Sequence, residues 1–218
     1  MRIKTVFSRF LVAIVMSFMG QTAFAANNAS TQSRTLIIYF SQPEGMKPDA
    51  VDGFSGASVL QKNTPETGST QYVAQLLQKQ TQGDLYRIET TTPYPRQHEA
   101  LLRAAEKEQQ TKARPSLNTP LPDLSHYDTI YVGYPIWWYT MPMVIYGLFE
   151  QNDFANKTII PFTTHGGSRL ADSLREIARR QPKAKLITRA LSLSRDDISH
   201  PDVPAQVEQW VKNVQPQR

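Results

Sequence analysis

Three short stretches carry residue types that could bind a ligand. Thr67-Gly68-Ser69-Thr70, with Ser41-Gln42, places hydroxyls and a glycine at the start of a predicted helix. Backbone N–H groups and the dipole at a helix N-terminus can hold a phosphate dianion without Lys or Arg. Glycine there allows close backbone approach and conformations that larger residues avoid. The same Ser and Thr residues also suit a plain helix cap. The second stretch, Tyr134-Pro135-Ile136-Trp137-Trp138-Tyr139-Thr140-Met141-Pro142, holds three consecutive aromatics that cannot all enter one core. At least one is expected at the surface, stacked on a flat apolar ring or presented to a protein partner. The third, Thr163-Thr164-His165-Gly166-Gly167-Ser168, offers backbone N–H donors. An esterase-like oxyanion loop is the rival reading of its His-Gly-Gly. Its nearest nucleophile candidate, Gly53-Phe54-Ser55-Gly56-Ala57, does not lie between a strong strand and a helix, and no matching acid-then-histidine order follows.

Other chemistries lack their residues. The chain of 218 residues contains no cysteine, which removes disulfides, iron–sulfur clusters, thiolate zinc sites and cysteine nucleophiles. The histidines His98, His126, His165 and His200 are too scattered in sequence for ligand-like spacing, so no metal site is expected. No Gly-x-Gly-x-x-Gly and no Walker loop is present, so a tightly bound dinucleotide or nucleoside triphosphate has no support.

Met1 to Ala25 reads as a secretory signal, with Arg2, Lys4 and Arg9 ahead of the apolar run Phe10 to Met19 and a small-x-small Ala23-Phe24-Ala25. Its apolar core is short for a membrane span. Ser8-Arg9-Phe10-Leu11 holds one arginine, so general secretion is favoured over the twin-arginine route. Removing this segment takes three of the 24 Lys and Arg and none of the 19 acids, lowering the formal charge from +5 to +2. No electrostatic case for nucleic acid remains. An exported protein is expected, periplasmic if the source is a Gram-negative bacterium.

These loops must be held by regular elements. After a polar linker, residues 26–33, one domain is expected over residues 34–218. Arg34 to Phe40 (RTLIIYF) is an apolar, β-branched run suited to a central strand. Helix is predicted over Ser69 to Lys79, then strand over Asp84 to Glu89 and helix over His98 to Gln110. Strand follows over Thr129 to Gly133, helix over Met143 to Gln151, strand over Lys157 to Thr163 and helix over Leu170 to Arg180. A short strand, Lys185 to Thr188, and a helix, Pro204 to Val214, close the chain. Alternation of this kind predicts an α/β fold with five parallel strands and helices on both faces. Ligands of open α/β sheets bind outside the carboxyl ends of the strands, where the three loops lie. Residues 43–66 interrupt the pattern, with one weak strand-like patch at Ala57 to Gln61.

The chain resembles the flavodoxin-like FMN proteins, in the branch with an insertion after the first strand. The split Ser41-Gln42 and Thr67-Gly68-Ser69-Thr70 is similar to the family's phosphate loop, and YDTIYVGYPIWWYTMP and PFTTHGGS are similar to its third and fourth strands with their loops. The resemblance implies a three-layer sandwich with strand order 2-1-3-4-5 and bound FMN. It assigns Ser41, Gln42, Thr67, Gly68, Ser69 and Thr70 to the phosphate, Pro135, Ile136, Trp137, Trp138 and Tyr139 to the ring face, and Thr163, Thr164, His165, Gly166 and Gly167 to the ring's polar edge. It implies electron transfer to a redox partner protein or a small acceptor. The place of residues 43–66 between the two halves of the phosphate loop suggests, separately, a lid over the flavin edge. The alternatives are an NAD(P)H-dependent quinone or nitro reductase and a binding module without flavin. Familiar members are strongly acidic and this mature chain is not, which implies a less negative reduction potential and different partners.

Overall fold

The computed structural model describes residues 34–43, 60–61 and 64–215, with backbone alone at 60–61 and 64–66. The predicted signal and linker, the oxyanion-type candidate around Ser55 and most of the insertion lie outside the described residues. Five strand positions form one parallel sheet. β1 (Thr35–Phe40) lies between β4 (Asp84–Ile88) and β5 (Thr129–Pro135), and β6 (Thr158–His165) follows β5. The last position is shared by β7 (Lys185–Leu186) and β8 (Leu191–Ser194), both paired with β6. With the separate hairpin of β2 (Leu60–Gln61) and β3 (Thr64–Gly68) set aside, the order is the expected 2-1-3-4-5.

Alternate side chains of β1 build two cores, as a strand covered on both faces requires. Leu36, Ile38 and Phe40 pack with α2 (His98–Thr111), α3 (Met143–Gln151) and Ile177 of α4 (Ser173–Arg180). Ile37 and Tyr39 pack with α1 (Ser69–Thr81) and α5 (Val203–Val214). Gly133 leaves room for its neighbour on β6: a Cβ there would overlap the Phe162 ring. Among the described residues, no helix is long and apolar enough to cross a membrane.

Several boundaries differ from the predicted ones. β5 and β6 continue two residues further, to Pro135 and His165, because their ladder runs on through the pairs Tyr134–Thr163 and Pro135–Thr164. Helix α4 starts at Ser173 instead of Leu170, since Arg169 and Ala171 adopt left-handed φ values of 53° and 47° that no α-helix accommodates. The short strand predicted over Lys185 to Thr188 is half of a longer edge strand. Its register against β6 slips by two residues before Leu191 resumes pairing. The weak patch near Gln61 is a strand at Leu60–Gln61, antiparallel to β3, which runs directly into α1.

Candidate functional site

Strand order reverses between β1 and β5, and the loops that leave β1, β5 and β6 meet at that point of the sheet's carboxyl edge. Two hydrogen bonds tie them together. Thr70 Oγ1, in the first turn of α1, shares one of 2.8 Å with Thr164 Oγ1 of β6. The Ile136 N–H donates to the Thr164 carbonyl at 2.9 Å. All three sequence-predicted stretches therefore converge.

Ser41 and Gly68 form the base of the site. Gly68 is the N-cap of α1, with φ −73° and ψ 158°, so its backbone is ordinary and any residue could adopt it. The expected need for a special conformation is thus corrected: glycine serves here because a Cβ would collide with Ser41 Oγ. Ser41 is 3% exposed and its hydroxyl has no hydrogen-bond partner among the described residues. A buried polar group left this way costs about 1–3 kcal/mol. Ser69 and Thr70 are buried beside it, Thr67 is half-buried, and the first turn of α1 holds no acidic residue to oppose an anion. The plain-cap reading places Ser or Thr at the N-cap, but the N-cap is Gly68, which brings no side-chain oxygen. The Gln42 amide donates to the carbonyls of Tyr94 and Pro95 at 3.3 and 3.4 Å, bracing the loop after β4. A cavity of about 310 Å³ opens beside Ser41, lined by Phe40, Gln42, Thr90, Tyr94 and Asn118 among others. A larger open groove of about 590 Å³ lies between the C-terminal ends of α3 and α4, away from this edge of the sheet.

The aromatic stretch divides three ways. Pro135 closes β5, and Ile136 and Trp137 are buried; the Trp137 ring packs edge-on against Phe40 and Tyr94, with centroids 5.3 Å away in both cases. Trp138 is half-buried against α2, its indole N–H donating to the Leu102 carbonyl at 3.2 Å while the Gln109 amide donates to the Trp138 carbonyl at 3.3 Å. Tyr139 is 61% exposed, as the three-in-a-row argument requires of at least one ring. Trp137 and Thr140 exchange backbone hydrogen bonds of 3.0 and 3.1 Å, closing a two-residue turn. Trp138 and Tyr139 have φ of 47° and 62°. Turns of this kind favour Asn-Gly, and an L-residue in the left-handed region costs about 1–2 kcal/mol. Two bulky aromatics there mark strain of the sort that collects at functional sites.

In the third loop, the Thr163 hydroxyl donates to Ser192 Oγ at 3.3 Å, across to β8, and Thr164 faces Thr70. His165 Nδ1 accepts the Gly167 N–H at 3.0 Å. Of the two glycine N–H groups expected to serve a ligand, that of Gly167 is thus engaged by its own loop, while Gly166 is half-buried beside it. Burial, reinforced by Arg169 and opposed by Asp197, lowers the His165 pKa, which favours the neutral ring. Gly167 has φ 133°, a value that calls for glycine. Sequence reasoning gave Thr140, in the second stretch, no role of its own and missed Asp172, whose side chain it meets at 2.6 Å, and the Tyr94 hydroxyl that donates to Glu108 at 2.8 Å. Residue type and spacing carry no signal for such pairs.

The flavodoxin family model matches residues 59–214, and the chain belongs to that family. A protein assigned as a flavoprotein from Bacteroides uniformis is similar over 83% of this chain and 98% of its own, with 28% identity and a TM-score of 0.62. One from Bacteroides eggerthii shares 23% identity over 85% of this chain and 99% of its own, with a TM-score of 0.56. A flavoprotein in complex with FMN from Lactobacillus acidophilus shares the fold at 18% identity, covering 82% of this chain and 98% of its own, with a TM-score of 0.54. No curated protein sequence matches the chain.

Proposed function

We propose that the protein binds FMN at this edge of the sheet and transfers electrons through it, in the cell envelope. The observation that carries the reading is the Ser41 hydroxyl, buried against a glycine at a helix N-terminus with no partner among the described residues. A phosphate oxygen would supply the missing acceptor, and the N-terminal turn of α1 the favourable field. Ser41, Thr67, Gly68, Ser69 and Thr70 are assigned to the phosphate. The rings of Trp138 and Tyr139 are assigned to the flavin face, with Thr163, Thr164, His165 and Gly166 near its polar edge. Pro135, Ile136 and Trp137 support that face from the core, and Gln42 and Gly167 hold their own loops. Bound FMN would supply one- and two-electron chemistry at its ring, while the chain binds it, orients it and excludes water. No side-chain acid or base is required.

Family membership and the FMN complex of the Lactobacillus acidophilus protein support this reading. The signal-like pattern of residues 1–25 supports export, and general secretion of an unfolded chain would require the cofactor to be acquired afterwards. The test is the visible spectrum and titration calorimetry of the purified protein mixed with FMN. A flavin spectrum perturbed by binding is expected, with saturable heat. Absence of both removes the proposal and leaves the non-flavin binding module. Rapid turnover with NAD(P)H and a quinone would instead assign a reductase.

A further inference from the structure

The turn at Trp138–Tyr139 and the loop after β6 are both held in left-handed backbone, at Trp138, Tyr139, Arg169 and Ala171, and none of these is glycine or asparagine. Such conformations persist only where surroundings impose them. From one side α2 does so, through Leu102 and Gln109. From the other, buried Thr140 bonds to both Asp172 Oδ1 and Tyr146 O–H, each at 2.6 Å. An ionised carboxylate only accepts, so the Thr140 hydroxyl gives its one proton to Asp172 and receives that of Tyr146. Two guanidinium groups stand near the Tyr146 ring, Arg180 at 4.1 Å and Arg114 at 5.3 Å from its centroid. Asp172 stands at the N-cap of α4 yet makes no cap bond with its side chain. Its Oδ1 is directed to the turn, and its other oxygen lies 3.5 Å from Arg175.

We propose that Asp172 is a positioning residue: acting through Thr140, it latches the aromatic turn to the loop after β6 and holds Trp138 and Tyr139 in the arrangement that receives the flavin. This rests on the FMN reading above. The latch joins the second and third ligand-facing loops, as the Thr70–Thr164 bond joins the first and third.

The test compares Thr140→Val, Thr140→Ser and Asp172→Ala with the wild type, each measured with and without FMN. Amide exchange is followed by NMR at the Trp137 and Thr140 N–H groups that close the turn, and FMN affinity by titration. A charge-assisted hydrogen bond of this kind carries roughly a tenfold effect or more. Thr140→Val and Asp172→Ala are expected to speed exchange at those two amides about tenfold, leave the β5 amides unchanged and weaken FMN binding by a similar factor. Thr140→Ser, which keeps the hydroxyl, is expected to restore wild-type exchange and affinity. Wild-type exchange in Asp172→Ala would overturn the proposal, as would loss in Thr140→Ser equal to that in Thr140→Val. Should Thr140→Val fail to fold, the other two variants decide. A wild type that does not bind FMN at all would defeat the flavin reading, while the exchange data from the same ligand-free samples still judge the latch.

Discussion

The hydroxyl of Ser41 occupies the space that a side chain on Gly68 would need, although β1 and α1 reach this point from opposite ends of a long insertion. The contact explains a glycine whose φ is ordinary, and it places an unpaired hydroxyl at a helix N-terminus. Two substitutions are expected to separate stability from binding. Ser41→Ala removes the unpaired buried oxygen, so it should raise the stability of the ligand-free protein by about 1 kcal/mol while weakening FMN binding. Gly68→Ala should weaken binding without that gain, because the methyl group forces Ser41 aside. Urea unfolding paired with calorimetric titration reads both, and a Ser41→Ala protein less stable than the wild type would remove the unpaired-hydroxyl argument.

The exposed ring of Tyr139 is carried on strained backbone. Relief of a left-handed residue, at about 1–2 kcal/mol, exceeds the added chain entropy of glycine, at about 0.5–1 kcal/mol. Tyr139→Gly should therefore stabilise the ligand-free protein by about 0.5–1 kcal/mol and lower its affinity for FMN. Thermal melts with and without flavin would display the opposite signs.

Beneath the site, Gly133 faces the Phe162 ring from the adjoining strand. Gly133→Ala should cost about 1–3 kcal/mol by overpacking. Alanine paired with Phe162→Leu should recover part of the loss, since the smaller side chain vacates the overlapping volume. Equilibrium unfolding of the single and double variants measures the coupling.

His165 gives a pH signature. Its pKa is lowered in the fold by burial, so the unfolded chain binds a proton that the native ring refuses. Stability should fall as pH drops through the ordinary value of 6.5, and this contribution should level off once the lowered native value is passed. Above about pH 7 the residue contributes no slope. Denaturation midpoints between pH 5 and pH 7.5 in the wild type and His165→Asn would show the slope and its loss.

The charge balance bears on redox poise. Residues 26–218 carry 21 Lys and Arg against 19 Asp and Glu, a formal charge of +2, so they supply no net acidic field to oppose added negative charge on a bound flavin. A redox titration of the FMN-loaded protein is expected to give a potential less negative than that of an acidic flavodoxin measured alongside. Equal potentials would refute the charge argument.

Much of this architecture is legible in the order of residues. RTLIIYF and TIYVG are continuous apolar runs of strand length, and both lie at the centre of the sheet. The second half of the edge strand, Leu191–Ser194, escapes because its alternation spans four residues and follows Arg189 and Ala190, which belong to no strand. At the site, three adjacent aromatics require one outward ring, but its identity depends on the φ values of Trp138 and Tyr139. Those are imposed by α2 and Asp172, elements remote in sequence. Gly68 stands out by residue type, yet its partner lies on the far side of an insertion. Local pattern therefore locates the loops, while tertiary contact decides what each side chain does within them.

The division of the last strand into β7 and β8 has an effect beyond packing. An unbroken, flat outer strand presents a row of free amide and carbonyl groups on which a second chain can zip up, the first step towards fibres. Here the two-residue slip and the short pieces on either side of it interrupt that row. At the opposite border, the five-residue β4 itself carries the charged side chains of Asp84 and Arg87. Margins interrupted in this way disfavour strand-to-strand pairing between copies of the chain.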